Sequence, residues 1–388
     1  MKPMGIYIHI PFCMKKCEYC DFVSFAGKED KMLAYTESLR KELEMVGKQN
    51  AQDKAEGKDD LLEIETIYLG GGTPSFLPAE EVEKILATIR ENFILKKNCE
   101  ITIEINPGTT TKEKLEIYQK AGINRLSIGL QSIQEHVLKV IGRIHDYEKF
   151  EEVYQEAREL GFQNINVDLM IGLPKQNVVD VEKSVEQVIH LKPEHISVYS
   201  FIVEEGTPMA EKIAEGSLTL PKEEVERKEY WTVKKMLEEA GYIHYEISNF
   251  AKMGKESKHN TDCWNQKEYM GFGIAAHSYT DGIRYSNLAE LEPYMENIQK
   301  DKAQDNFIFH EKQDEEAKMK EYMLLGLRKI AGVEISKFKE KYGINPIYCY
   351  RLELDQLVRD DLVEVDDDFI KLTKRGIDLA NLVWEKFV

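Results

Sequence analysis

The sequence predicts an α/β fold: an open (β/α)6 partial TIM barrel followed by a C-terminal α+β extension of winged-helix shape. Three observations carry this. Six short β-rich runs alternate with amphipathic segments from residue 5 to about residue 250. The count falls short of the eight units that close a barrel. The C-terminal residues, 319–388, switch to helical spacing interrupted by one alternating stretch.

The β-rich runs are GIYIHI, TIYLG, ITIEIN, RLSIG, INVDLMIG and HISVYSF. Each precedes polar sequence whose apolar residues recur at three- and four-residue intervals, so one helix face can cover a strand and the strands lie parallel. The spacing predicts helices over 111–121, 178–191 and 223–240, with Gly122 and Gly161 suited to close two helices before the next strand. The polar stretch 47–60, without β-branched residues, reads as a loose surface extension between the first helix and the second strand. A charged region over 297–320 marks a boundary, which divides the chain into a barrel (1–250), an extension (251–318) and a C-terminal unit (319–388). Within that last unit the pattern predicts helices over 321–330, 335–342 and 348–359, a hairpin in VEVDDDFIKLT and a final helix ending at Phe387. A winged helix can bind DNA, but the acidic hairpin tip would repel it, so a structural or partner-docking module is expected.

At 388 residues and 42% hydrophobic content the chain can bury a substantial core. A formal charge of −18 opposes broad contact with nucleic acid. No apolar run is long enough to cross a bilayer, and the opening MKPMGIYIHIPFC has no charged-then-apolar leader. A cytoplasmic protein is expected, with peripheral membrane contact left open. Of six cysteines, three crowd into residues 13–20, while Cys99, Cys263 and Cys349 stand alone. That is not the spread of a disulfide framework.

The chemistry concentrates in Cys13-Met-Lys-Lys-Cys17-Glu-Tyr-Cys20, on the loop after the first strand. Three neighbouring thiolates can hold three irons of a [4Fe-4S] cubane and leave the fourth open, whereas electron-transfer clusters are closed by a fourth cysteine. A zinc knuckle is the alternative. It needs a fourth protein ligand, and His9, the nearest candidate, lies on the strand itself.

The run YIHIPFCxxxCxYCDF resembles the radical S-adenosylmethionine superfamily, in its oxygen-independent coproporphyrinogen III oxidase-like branch. Further matches are GGGTP at 70–74, EINPG at 104–108, NRLSIGLQ at 124–131, GRIH at 142–145 and DLMIGLP at 168–174, followed by His259-Asn260. The resemblance covers nearly the whole chain. It implies a cluster on Cys13, Cys17 and Cys20 whose open iron is chelated by the amino and carboxylate groups of S-adenosylmethionine. An electron donor would then drive formation of a 5′-deoxyadenosyl radical. It further implies Tyr7 and Tyr19 beside the cluster, and Gly71, Gly72 and Thr73 at the methionine amine. Glu104 would face ribose hydroxyls or the methionine ammonium, with Gln131, Arg143 and Asp168 lining the same pocket. Each also has a plainer reading: packing for the tyrosines, an unliganded turn for the glycines, a surface ion pair for Glu104.

Within this branch the oxidases remove two propionate carboxyls from coproporphyrinogen III, and the chaperones bind heme and pass it to acceptor hemoproteins. Two departures favour the chaperones: Phe22 stands where the oxidase pattern has an additional cysteine, and only about a dozen residues precede the cluster loop. His259-Asn-Thr-Asp-Cys263-Trp264 resembles the chaperones' HNxxYW motif, which puts His259 in the place of the heme ligand and Cys263 in that of the tyrosine. His277, in a glycine-rich segment similar to one that covers adenine in relatives, is a second heme-side candidate. By family analogy a homodimer is also expected. A true oxidase, or a radical enzyme with another substrate, remains the alternative.

Overall fold

A computed structural model of the chain describes residues 1–57 and 60–388. Its frame is six parallel strands paired in chain order: β1 (Lys2–Ile10), β2 (Leu62–Gly71), β3 (Ile94–Ile105), β4 (Arg125–Gln131), β5 (Ile165–Ile171) and β6 (His195–Ser200). The six runs legible in the sequence fall on these strands, three of them ending one residue beyond the strand. Between and after them lie α1 (Met32–Ala55), α2 (Ala79–Asn92), α3 (Lys112–Lys120), α4 (Glu135–Val140), α5 (Tyr147–Glu159), α6 (Val178–Leu191), α7 (Pro208–Ala214) and α8 (Glu223–Glu239).

The period-two alternation sorts the side chains. Ile6, Ile8 and Ile10, and likewise Ile101, Ile103 and Ile105, join the aliphatic core that the helices cover. The alternate positions put Tyr7, Tyr68, Glu104, Ser127, Asp168 and Ser197 on the opposite, concave face. This polar inner face is what a ligand entering the barrel would meet.

The expected helices over 178–191 and 223–240 form within a residue of those limits, and α3 is capped by Thr111, whose side chain accepts from the Lys114 amide. The expectation of a loose stretch over 47–60 needs correction, because α1 continues to Ala55. Gly47 is buried there, and a Cβ on it would stand 2.6 Å from Asn92. Close approach to the end of α2 therefore holds the helix in register beyond the point where its sequence turns polar. Residues 58 and 59 of that stretch lie outside the described residues.

The sheet extends at both edges. Beyond β6 lie β7 (Ile243–Glu246) and β8 (Asn249–Ala251). On the other side, after α9 (Lys258–Trp264), β9 (Tyr269–Phe272) pairs parallel with β1. Next come β10 (His277–Thr280), β11 (Ile283–Asn287), α10 (Leu291–Gln299) and β12 (Phe307–Lys312), the three strands running antiparallel to their neighbours. A buried carboxylate ties this extension to the barrel: Glu42 of α1 accepts from the Gly273 amide at 2.9 Å, Asn287 Nδ2 at 2.7 Å and the Tyr294 hydroxyl at 2.7 Å.

The C-terminal residues have their own core, with Met323, Leu327, Phe338, Leu357, Ile370 and Val383 at its centre. The order is α11 (Glu315–Gly326), β13 (Val333–Glu334), α12 (Ile335–Tyr342), α13 (Pro346–Cys349), α14 (Arg351–Arg359), β14 (Val363–Val365), β15 (Phe369–Leu372), α15 (Lys374–Asp378) and α16 (Ala380–Trp384). Helices followed by a β14–β15 hairpin make the winged-helix shape. The first helix starts earlier than its apolar spacing indicates because Asp314 caps it, accepting from the Ala317 amide at 2.8 Å.

Candidate functional site

The C-terminal ends of the parallel strands open into a cavity of about 420 Å³. One wall is the loop after β1. Backbone bonds from Cys13 N to Phe25 O (2.9 Å) and from Phe25 N to Pro11 O (2.7 Å) close the base of that loop, and Cys20 N to Cys17 O (3.2 Å) turns its tip. His9 Nε2 bonds the Val23 carbonyl at 2.8 Å from below. Cys13, Cys17 and Cys20 all line the cavity, and none of the six cysteines is in a disulfide. Thr73 Oγ1 donates to Cys13 Sγ at 3.4 Å and Arg143 Nη1 to Cys17 Sγ at 3.8 Å. Burial pushes the Cys13 and Cys20 thiols up.

Among the described residues no three His, Cys, Asp or Glu side chains gather as ligands of a single ion. A cubane sets a different condition, since each of its thiolates binds a different iron. Three cavity-lining thiols, two of them with donors aimed at sulfur, fit a cluster better than a zinc knuckle. His9, the knuckle candidate nearest in sequence, is engaged with Val23 and Tyr7.

Gly71 and Gly72 end β2 on the cavity wall. Gly71 has φ +107°, and a Cβ there would lie 2.7 Å from the His9 ring; at Gly72 it would lie 2.9 Å from the Ile10 carbonyl. Packing against β1 therefore already requires both glycines, whatever occupies the cavity.

Beyond them sit the polar groups expected from the motifs. Glu104 accepts from the Tyr68 hydroxyl at 2.9 Å, and burial, reinforced by the nearby Asp168 charge, raises its carboxyl to about 7. Asp168 accepts from Asn166 Nδ2 at 2.8 Å and Ser127 Oγ at 3.2 Å, and burial raises it too. Gln131 lies at an irregularity between β4 and β5 and has φ 69°. Arg143 Nη2 donates to the Gly129 carbonyl at 2.7 Å, while its buried Nε has no partner. A Cβ at Gly129 would come within 3.0 Å of Arg143 Nη2, so the glycine makes room for the guanidinium. An orphaned donor on a cavity-lining arginine fits an anionic group, such as a carboxylate, arriving as ligand.

Tyr19 lines the cavity and meets Phe201 edge-on, with ring centroids 6.4 Å apart. Tyr7 does not line it. It stacks behind Tyr68 at 6.3 Å, and Tyr68 forms the wall. Sequence reading missed Tyr68, Ser127, Tyr199 and Ile202. The inward period of β2, β4 and β6 was the available signal for the first three.

His259 lies elsewhere. It is 7% exposed, its Nδ1 is 2.8 Å from Thr66 Oγ1, and its ring lies 5.2 Å from that of Tyr68. Burial, with the Arg125 charge, lowers it to about 4. It plugs the barrel interior on the far side of Tyr68 from the cavity. Cys263, on the same short helix, is held up at about 12 by burial. The three cysteines expected to hold a cluster and the S-adenosylmethionine candidates other than Tyr7 thus converge, and His259 does not join them. His277, by contrast, is exposed.

Residues 7–188 match the family model of the radical SAM superfamily, and residues 313–379 match that of the HemN C-terminal domain. The chain is 35% identical over 387 residues to a protein of Lactococcus lactis named heme chaperone HemW, covering 100% of this chain and 98% of the relative. It is 39% identical to the protein of that name from Bacillus subtilis, covering 98% of each. The structure of coproporphyrinogen III oxidase (HemN) from Escherichia coli superposes with a TM-score of 0.83 at 22% identity, covering 100% of this chain and 90% of that one. At that identity the likeness establishes the shared fold.

Proposed function

Because the chain belongs to the radical SAM superfamily and, within it, to the HemN-like HemW family, we propose that it is a heme chaperone. In this reading it carries a [4Fe-4S] cluster on Cys13, Cys17 and Cys20, binds S-adenosylmethionine in the adjoining cavity, and delivers heme to acceptor hemoproteins. The observation that supports it most is the cavity lip. Phe22, where the oxidase pattern has a further cysteine, is 63% exposed, and Ile202 across the cavity is 68% exposed. An apolar rim suits a flat, apolar tetrapyrrole better than additional redox chemistry.

When bound, the cluster would hold the amino acid end of S-adenosylmethionine and supply the electron for its cleavage. The residues of the chain do the positioning. Thr73 and Arg143 would donate to thiolate sulfur, Glu104 would accept from an ammonium or a hydroxyl, and the free Arg143 Nε would meet a carboxylate. Gln131 and Asp168 would fix the remainder of the ligand. Heme, an electron donor and acceptor hemoproteins are the partners. Six free cysteines suit a reducing cytoplasm, and no helix among the described residues is long and apolar enough to cross a membrane. His259, which the HNxxYW-like segment nominates for heme, would need α9 to move before it reached iron.

The test is anaerobic reconstitution with iron and sulfide, then a heme titration followed at the Soret band, run beside a coproporphyrinogen III turnover assay. Saturable heme binding without decarboxylated product is expected. Decarboxylated product without stable heme binding would overturn the chaperone reading in favour of the oxidase.

A further inference from the structure

Resting on the heme-carrier reading, we infer that Arg328 is a positioning residue for His259: stacked on Trp264, it latches α9 to the C-terminal unit, and opening of that stack frees the helix to present His259 to heme.

The helix is held from two sides. Its start belongs to the barrel: Glu100 of β3 accepts from the Lys258 amide at 3.2 Å and from the His259 amide at 3.1 Å, while His259 Nδ1 lies 2.8 Å from Thr66 Oγ1. Its end belongs to the C-terminal unit. The Arg328 guanidinium lies over the Trp264 ring at 4.5 Å and over the Trp384 ring of α16 at 4.9 Å. Glu246 of β7, a fully buried carboxylate, fixes Arg328 Nη2 at 3.0 Å. The next two residues continue the seam. Asn265 accepts from Lys329 Nζ at 2.7 Å, and Gln266, at φ 54°, donates to Glu321 of α11 at 2.8 Å and accepts from the Tyr342 hydroxyl of α12 at 2.7 Å. Backbone bonds from Ile247 N to Arg328 O (3.2 Å) and from Ile330 N to Tyr245 O (3.1 Å) seat this stretch on the turn between β7 and β8, so the Arg328 side chain is the part that can let go.

Two features make this stack a latch. Arg328 Nε, Trp264 Nε1 and Trp384 Nε1 are all buried, and none has a hydrogen-bond partner among the described residues. Buried donors left unpaired oppose the closed arrangement, so the seam is weakest where the two indoles meet the guanidinium. The helix also depends on it. α9 has seven residues, too few to persist as a helix by themselves, and stays folded over the barrel only while both ends are held. Opening the Arg328 end therefore lowers the cost of releasing the Glu100 end, which carries His259. Heme binds the released state, so its apparent affinity is reduced by the fraction of molecules that are latched. Trp264, which the HNxxCW segment brings along with His259, thereby ties that histidine to the C-terminal unit.

The experiment pairs amide hydrogen exchange of the heme-free protein with stopped-flow association of ferric heme at the Soret band, both on the reconstituted full-length chain. Wild type is compared with Trp384→Leu, Trp384→Phe and the double variant Glu246→Gln/Arg328→Met, which removes both charges and so leaves no buried carboxylate without its cation. Iron content and far-UV circular dichroism serve as folding controls. Trp384→Leu and the double variant should speed exchange over residues 259–264, leave β3 unchanged, and raise the heme association rate about threefold or more. A merely structural defect would lower that rate instead. Trp384→Phe keeps an aromatic face for the guanidinium and should return both readouts toward wild type. Adding His259→Ala to Trp384→Leu should abolish the gain. Unchanged exchange in α9, faster exchange without faster heme association, or a gain that survives His259→Ala would overturn the latch and leave the chaperone reading intact. Failure of the wild type to bind heme would overturn both.

Discussion

The guanidinium of Arg143 donates to the sulfur of Cys17 at 3.8 Å, across 126 residues of sequence, and is anchored from behind by the Gly129 carbonyl at 2.7 Å. A fixed cation beside one thiolate raises the potential of a cluster held there, because it favours the more negative, reduced state. With the cluster on Cys13, Cys17 and Cys20 as proposed, Arg143→Met should leave all three ligands and most of the iron content in place and move the midpoint potential to more negative values. A redox titration monitored by electron paramagnetic resonance checks this. An unchanged potential would mean that Arg143 acts on the bound ligand alone.

The second prediction concerns Gly71. Its φ of +107° and the 2.7 Å approach of a Cβ to the His9 ring exclude a side chain on two independent grounds. Gly71→Ala should cost about 1–3 kcal/mol in denaturant unfolding. It should also loosen the Val23 carbonyl that His9 holds, which would be read as slower or incomplete iron uptake on reconstitution. Gly57, with φ +70° and none of the described residues near its Cβ, serves as the control: alanine there should cost less and leave cluster assembly unchanged.

What made the barrel legible was its two-sided strands. Runs such as ITIEIN place isoleucines on the helix-covered face and Thr102 and Glu104 on the other, so one pattern announces both the strand and the polar interior. The loop after β1 was legible as a candidate site because three cysteines in eight residues have few other uses, and all three line the cavity. The edge strands were not. β9–β12 are short and lie in a glycine-rich segment and a charged one, and they are held by pairing with β1 and by Glu42, a residue more than two hundred positions away. His259 was assigned by motif, but its surroundings are set by Thr66 and Tyr68 of a distant strand, which no local spacing reveals.

Glu42 gives the third prediction. It is fully buried and satisfies three donors, and burial raises its carboxyl. Glu42→Leu would leave the Gly273 amide, the Tyr294 hydroxyl and one bond of Asn287 without their acceptor. At about 1–3 kcal/mol for each orphaned group, the loss should be on the order of 3 kcal/mol or more. Glu42→Gln, which keeps an acceptor oxygen, should lose less. Hydrogen exchange should place the opening in β9–β11 first, since those strands depend on the carboxylate.

Glu104 ties stability and ligand binding to pH. Its carboxyl sits at about 7, against an ordinary value of 4.5, so between these limits the folded chain holds a proton that the unfolded chain has released. Stability from this group is then fully present below about 4.5 and is lost as pH rises through about 7, by roughly 3 kcal/mol over the window. Denaturant unfolding of the ligand-free protein should show the decline between about pH 5 and about pH 8, and Glu104→Gln should flatten it. Some slope should remain, because burial raises Asp168 and Glu42 in the same direction. A cationic ligand reverses the preference: an ammonium accepted by Glu104 stabilises the carboxylate, so S-adenosylmethionine should bind more weakly as pH falls below about 7. Calorimetric titrations across that range check it. An affinity independent of pH would remove Glu104 from the ligand's ammonium and return it to its bond with Tyr68.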